Sequence, residues 1–320
     1  MKVMTMKKKE SPCVVVVIPC YKVSAKILSV LDDIPRIVSK IIVVDDNCPE
    51  KTGLIVKKKK TSKKIIVITN DKNLGVGGAT KVGYKEALKI NPDVVIKIDG
   101  DGQMNPMDAP KFILAIIKKE YDYAKGNRFY SLDNIHQMPL IRKIGNLGLS
   151  FMSKLSTGYY EIFDPNNGFT AINGQCLAQL PLSKIDDRYF FESDMLFQLN
   201  LLGAKVLDIP LAAIYNDETS SLKIWNSLLI FPKKHLRNLV RRILYKYYLR
   251  DFNIASVQLF LGIILFSWGA SFGLVTWLNN MSDKVATAPG TIVLVAILTI
   301  TGLQLLLSFL SFDMRSQKRD

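Results

Sequence analysis

Two carboxylates one residue apart, Asp99 and Asp101, followed by the amide of Gln103, are the residues of this 320-residue chain best suited to chemistry. They follow the run Val94-Val95-Ile96-Lys97-Ile98, whose β-branched side chains, with Asn91-Pro92 before and glycines after, predict a buried parallel strand. In an open α/β sheet, ligands bind just beyond the carboxyl ends of the strands, where these aspartates fall. Alternation along an extended chain points Asp99 and Asp101 to the same side, and Gly100 and Gly102 let a ligand come close to the backbone. A few hard oxygen donors suit Mg2+ or Mn2+ shared with substrate phosphates rather than enclosed by protein. Taken alone, the segment also reads as a solvated Asp-Gly turn, so its surroundings decide.

Those surroundings alternate strand and helix. Val14 to Ile18 predicts a first strand ending at Pro19-Cys20-Tyr21, with a helix from Ser24 to Ile34. Ile41 to Val44 predicts a second strand ending at Asp45-Asp46, Ile65 to Thr69 a third, and Val94 to Ile98 the fourth. Helical patterns over Gly77 to Ile90 and Met107 to Glu120 complete an α/β, doubly wound, mostly parallel sheet. Asn73-Leu74-Gly75-Val76-Gly77-Gly78-Ala79 superficially resembles a dinucleotide fingerprint, but it follows the third strand rather than the first, which disfavours a dehydrogenase. Its glycines still permit close approach, and the helix that it opens is expected to offer free N–H groups to an anion. Further on, a short strand runs into Gly126-Asn127-Arg128, and a helix over Leu140 to Ser156 carries Arg142 and Lys143. A polar turn spans Asp164 to Phe169. Glu192 and Asp194 open a helix that Gly203 is expected to cap; first-turn acids also complement the helix dipole.

The carboxyl-terminal third has a different character. Ile254 to Leu278 is 25 residues without a charge and Thr291 to Phe312 another 22, each long enough to span about 30 Å of hydrocarbon. The net charge of +15 is concentrated near these runs: Lys233, Lys234, Arg237, Arg241, Arg242, Lys246 and Arg250 precede the first, and Arg315, Lys318 and Arg319 follow the second. Asp283 and Lys284 are the only charges between them. The positive-inside rule then makes an integral membrane hairpin with the amino-terminal domain and both termini cytoplasmic. The stretch from Ile224 to Phe252 mixes those bases with Trp225, Leu228, Leu229, Phe231, Leu236 and Leu239, as suits the plane of a membrane interface, and Pro232 is expected to break it into two helices. The expected organisation is a domain over residues 1–221, interface helices over 222–253, and a transmembrane hairpin over 254–320. Gly262, Gly269 and Gly273 allow close helix packing within the hairpin or between subunits, so a homo-oligomer is compatible with it. Nucleic acid is disfavoured as a partner, because the bases hug the apolar runs and no reader motif is present. Four cysteines without CxxC spacing, in a cytosolic setting, are expected to be reduced thiols.

Taken in order, Pro-x-Tyr after the first strand, Asp-Asp after the second, the glycine segment, Asp-x-Asp-x-Gln, Asn-Arg and the Gly-Phe turn resemble the inverting family 2 glycosyltransferases of GT-A fold. With the basic interfacial helices and two-span terminus, the likeness narrows to the polyisoprenyl-phosphate branch, such as dolichyl-phosphate mannose synthases and bactoprenol glucosyltransferases. The resemblance implies that Asp99, Asp101 and Gln103 hold the metal and donor diphosphate. It implies that Pro19, Tyr21, Asp45 and Asp46 hold the nucleotide base and ribose, that Gly75 lies against the nucleoside, and that Glu192 and Asp194 form the acidic motif near the sugar. Arg128, Arg142, Ser221 and Lys223 match the group that grips the acceptor phosphate. The family's first motif usually continues Pro-x-Tyr-Asn-Glu, whereas Lys22 and Val23 follow Tyr21 here, which bears on base preference.

The chemistry so implied is transfer of one hexose from a UDP- or GDP-sugar to a polyprenyl or dolichyl phosphate. An acceptor phosphate is already ionised near neutral pH, so no strong general base is needed. The chain has two histidines, His136 and His235, neither in a triad or metal-ligand spacing. The competing expectations are a membrane-anchored nucleotide-sugar sensor or scaffold without turnover, and a processive glycan synthase, which two spans make a poor fit.

Overall fold

The computed structural model describes residues 11–59, 62, 64–118, 120–128, 140–211 and 224–316, without the side chains of 140–144, 146 and 224–229. Two compact units emerge, residues 1–238 and 239–320.

The first unit is a seven-stranded sheet in the order β3-β2-β1-β4-β6-β5-β7. Its strands are β1 Val14–Cys20, β2 Lys40–Asp45, β3 Ile65–Thr69, β4 Val94–Lys97, β5 Tyr123–Asn127, β6 Thr170–Asn173 and β7 Val206–Pro210. β1, β2, β3 and β4 are mutually parallel, as the β-branched runs predict for strands covered on both faces. β5 and β7 are also parallel, whereas β6 lies antiparallel between β4 and β5. The sheet is therefore mixed at the half that carries Asp99.

Helices cover both faces. α1 (Ile27–Asp32), α2 (Thr52–Lys59) and α4 (Ala109–Ile117) lie on one side, where Val14, Val16, Ile18, Val94 and Ile96 meet Ile27, Val56 and Phe112. α3 (Val76–Leu88), α6 (Gly174–Gln179) and α7 (Phe191–Leu202) lie on the other, where Val15, Val17 and Val95 meet Tyr84, Leu177 and Met195. α5 spans Leu140–Thr157 and packs on α7. α3 approaches β1 so closely that a Cβ at Gly83 would fall 2.2 Å from Val17. Gly203 caps α7 in the left-handed conformation with φ 74°, as expected from its place in the sequence.

α8, Ile224–Leu244, runs without interruption through Pro232 and ends in a π-helical turn over Tyr245–Arg250. The expected break at the proline does not occur. Contacts on both sides pin the helix: Phe231 and His235 each pack edge-on against Phe190, and tertiary burial of this kind outweighs the roughly 3 kcal/mol cost of an internal proline.

The second unit is dominated by α9, Ile254–Ser282, and α10, Pro289–Ser316, both long and apolar enough to cross a membrane. They extend the two uncharged runs by several residues at their ends. A Cβ at Gly262, Gly269 or Gly273 of α9 would lie within 3.0 Å of Leu306, Thr299 or Val295 of α10, so these glycines let the two backbones approach within the hairpin. At its base the carboxylate of Asp313 accepts both guanidinium NH2 groups of Arg242, at 2.8 and 2.7 Å, and the hydroxyl of Tyr247 at 2.7 Å. Arg242 and Asp313 are both fully buried.

Candidate active site

The carboxyl edge of the sheet gathers most of the expected residues, but hydrogen bonding divides them into two groups. Asp45 and Asp46, at the end of β2, are both buried and used by backbone. Asp45 accepts the N–H groups of Cys48 and Gly53, at 2.7 and 2.6 Å, and so seats the start of α2. Asp46 accepts from Leu74 N at 2.8 Å, Gly75 N at 2.7 Å and the amide of Asn70 at 2.8 Å, and so shapes the glycine segment. Gly75, at φ 88°, takes a conformation that side chains disfavour, and Gly78 N donates to the Asp187 carbonyl. The N–H groups expected to await an anion at the start of α3 are thus largely taken by protein, because Asp46 and the segment around Asp187 reach them first. Arg188 completes that clamp by donating to Asn73 Oδ1 at 2.8 Å.

Asp99 and Asp101 sit differently, partly exposed just past β4. Asp99 Oδ1 receives the Lys97 ammonium at 2.7 Å, and Lys97 Nζ also donates to Glu192 Oε1 at 3.2 Å and to the Gly168 carbonyl at 3.3 Å. Lys97 alternates with Val95 and so points to the α7 face, where Glu192 stands. A Cβ at Gly168 would fall 2.2 Å from Asp99 Oδ2 and 2.7 Å from Lys97 Nζ, so only glycine leaves the carboxylate its place. Asp101 Oδ1 accepts Gln103 N at 3.0 Å, which turns the chain at Gly102, φ 74°.

A second buried lysine, Lys125 of β5, donates to the Asn167 carbonyl. Burial lowers its pKa to about 8; Glu192 and Asp164 oppose that fall and Lys97 adds to it. Burial works against the charge of Lys97 as well, but Asp99 and Glu192 outweigh it and hold its pKa above the ordinary lysine range. The turn from Asp164 to Phe169 thereby joins the site, since Asp164 also accepts Arg128 Nε at 2.8 Å and NH2 at 3.3 Å. Arg128 is half-exposed and already held by a carboxylate.

Glu192 and Asp194, two apart on α7, point to different surroundings. Glu192 joins Lys97, while Asp194 accepts Asp186 N at 2.9 Å and the Asn238 amide of α8 at 2.8 Å. Burial raises the Asp194 pKa, against those two hydrogen bonds. Tyr21 is half-exposed, with the Lys22 ammonium 5.6 Å from its ring centre, and Pro19 is buried in β1. Arg142 lies in the first turns of α5; Ser221 and Lys223 lie outside the described residues.

Sequence reasoning assigned no role to Lys97, Lys125, Asp164, Asn167 or Arg188. The two lysines carry a signal: each occupies an inward position of a strand otherwise built from buried residues, where a charge needs a partner.

Among the described residues no three His, Cys, Asp or Glu side chains converge as a metal cage. The donor set nonetheless fits a divalent cation of the kind that keeps waters and phosphate oxygens as ligands: hard oxygens on Asp99, Asp101 and Gln103, with Gly168 leaving the Asp99 carboxylate its place.

The chain is 31% identical over 215 residues to the UDP-N-acetylglucosamine–dolichyl-phosphate N-acetylglucosaminyltransferase of Methanococcus voltae, covering 63% of this chain and 85% of that protein. It is 25% identical over 185 residues to the undecaprenyl-phosphate mannosyltransferase of Micrococcus luteus, covering 57% and 74%. In fold it is similar to glucosyl-3-phosphoglycerate synthase from Mycobacterium tuberculosis, crystallised with Mn2+, UDP-glucose and phosphoglyceric acid; the TM-score is 0.54 at 18% identity, covering 72% of this chain and 79% of that one. The sequence model of glycosyl transferase family 2 matches residues 15–179, and the chain belongs to that family of enzymes.

Proposed function

We propose that this glycosyltransferase moves a single sugar, with inversion, from a UDP- or GDP-hexose to a polyprenyl or dolichyl phosphate at the cytoplasmic face of a membrane. The observation that carries the proposal is the presence in one chain of a partly exposed Asp99-Asp101 edge on a family 2 domain and of two helices apolar enough to cross a bilayer. Relatives named as dolichyl- and undecaprenyl-phosphate glycosyltransferases support the same acceptor class.

Asp99, Asp101 and Gln103 would hold Mg2+ or Mn2+. When bound, that ion neutralises charge on the departing nucleotide diphosphate as a Lewis acid. Lys97 holds Asp99 and ties it to Glu192, so both carboxylates stay in place while the donor binds. The exposed ring of Tyr21 at the same edge offers a face for the nucleotide base. The acceptor phosphate needs cations more than a base, and Arg142 near the start of α5, with Ser221 and Lys223, would supply them. Arg128 would serve chiefly by holding the Asp164 turn against β5. Both ends of the hairpin lie on one side, consistent with the Arg242–Asp313 contact at its base and with the basic residues there.

The test is transfer of radiolabel from a panel of UDP- and GDP-sugars to short polyprenyl phosphate in detergent, with Mg2+ or Mn2+ and with EDTA. Metal-dependent formation of a lipid-linked monosaccharide from one donor is the expected result. Nucleotide-sugar binding without product from any donor would reject it. Arg142→Ala should weaken the lipid phosphate while leaving nucleotide affinity unchanged; a loss confined to the nucleotide would contradict the acceptor assignment.

A further inference from the structure

The four residues Ile185 to Arg188, just ahead of α7, are fastened on two sides. On one side stand the glycine segment and the start of α3. Gly78 N donates to the Asp187 carbonyl at 2.9 Å, Lys81 Nζ donates to the Ile185 carbonyl and pairs with Asp187 Oδ1, both at 2.6 Å, and Arg188 holds Asn73. A Cβ at Gly75 would fall 2.6 Å from Arg188 Cδ, and one at Gly77 2.5 Å from the Asp186 carbonyl oxygen, so these glycines let the two segments touch. On the other side stands α8. Asp186 pairs with the Lys234 ammonium, and its own N–H donates to Asp194, which also accepts the Asn238 amide. Phe190 meets Phe231 and His235 edge-on and lies under the Lys234 ammonium, 5.4 Å from the ring centre. Positions 231, 234, 235 and 238 recur at helical spacing, so a single stripe of α8 makes all of these contacts.

We infer that α8 sets the nucleotide affinity of the sheet edge through residues 185–188, with Lys234 and Asp186 as positioning residues. The inference rests on the nucleotide-sugar reading given above. A segment with glycines at 75, 77 and 78 has little conformational preference of its own, so its shape is imposed by what packs on it. Asp46 holds it from the end of β2 through Leu74 N and Gly75 N; residues 185–188 hold it from the opposite half of the chain, and α8 keeps them there. Without the Lys234–Asp186 pair, the glycine segment occupies its binding conformation for only part of the time, and affinity falls by that fraction. Two residues outside the ligand's reach thereby govern how tightly the nucleotide is held.

The experiment titrates UDP or GDP, with Mn2+, into the full chain in detergent by isothermal calorimetry and follows Tm in parallel. Whichever nucleotide binds the wild type should bind Lys234→Met and Asp186→Asn about tenfold more weakly, with Tm within about 2 °C. The double variant should lose no more than either single one, since both break the same contact. Lys234→Arg, which keeps the charge, should bind as the wild type does. Lys233→Met, which removes the same charge from the exposed neighbouring position, should leave affinity unchanged. Unchanged affinity in both single variants, additive losses in the double one, or an equal loss in Lys233→Met would each overturn the inference. A loss of affinity that only tracks a fall in Tm would mean general destabilisation, and overturns it equally. A wild type that binds neither nucleotide would reject the nucleotide-sugar reading itself.

Discussion

Two aspartate pairs stand at the carboxyl ends of strands in one sheet, and the molecule uses them in opposite ways. Asp45 and Asp46 are buried and occupied by N–H groups of two loops. Asp99 and Asp101 are partly exposed, and one of them is braced from behind by a lysine. Identical residue types at equivalent edges thus end up filled by backbone donors or left partly exposed according to which donors reach them first. The difference lies in the hydrogen-bond accounting, because a carboxylate whose lone pairs are filled by backbone has little left for a ligand.

The largest effect expected from this contrast separates activity from stability. Asp101→Ala should lower metal-dependent transfer by about a thousandfold with Tm unchanged. Asp46→Ala should instead cost about 3 kcal/mol, roughly 10 °C in Tm, by orphaning the donors of Leu74, Gly75 and Asn70. If Asp46→Ala kept its Tm but lost nucleotide affinity, the scaffold assignment would be wrong.

Next in size is Gly168→Ala. Its methyl would collide with Asp99 Oδ2 and Lys97 Nζ, and displacing the carboxylate by about an ångström should cost about a hundredfold in kcat. A steady-state assay that found wild-type turnover would show that Asp99 tolerates movement.

Lys97→Met sharpens the brace. Without the ammonium, the Asp99 and Glu192 carboxylates lose the donor that joins them and repel each other, so kcat should fall about tenfold as Asp99 moves. Adding Glu192→Gln should recover part of that loss by removing the repulsion. A double variant no more active than Lys97→Met would show that the lysine does not act as a brace between the two carboxylates.

The smallest effect concerns α8. His235 is buried beside Ser156, and burial lowers its pKa to about 4 from an ordinary 6.5. The unfolded chain therefore binds a proton that the folded one refuses, and stability present above pH 6.5 is lost as pH falls toward 4, by at most about 3 kcal/mol. Thermal unfolding of His235→Gln across this window should show a shallower decline than wild type. Parallel declines would place the titrating group elsewhere.

The sequence made one side of the Asp45–Asp99 contrast readable and hid the other. Buried parallel strands announce themselves through β-branched runs, and the two long uncharged runs through length alone, so the architecture and the helical hairpin could be read directly. The antiparallel course of β6 could not, since a four-residue apolar strand after a Gly-Phe turn looks alike in either direction. The duty of Asp46 was equally hidden: its partners lie 24 to 29 residues away, and backbone N–H groups leave no mark in a side-chain pattern. The resemblance groups Asp194 with Glu192, whereas two residues along a helix turn side chains apart, one to Lys97 and the other to Asn238. Pro232 misled for the converse reason, a local rule overridden by packing against Phe190.

The knot of Arg242, Tyr247 and Asp313 has a consequence for the order of assembly. The ion pair closes a loop of 71 residues, an entropic cost of about 4 kcal/mol for a flexible chain. α9 and α10, packed along their length, bring the two ends together beforehand, so the pair forms late and at little further cost. Contacts made after the transition state act on the rate of coming apart rather than on the rate of forming. Asp313 is thus a latch on the lifetime of the folded hairpin, and weakening it shortens that lifetime without slowing its assembly.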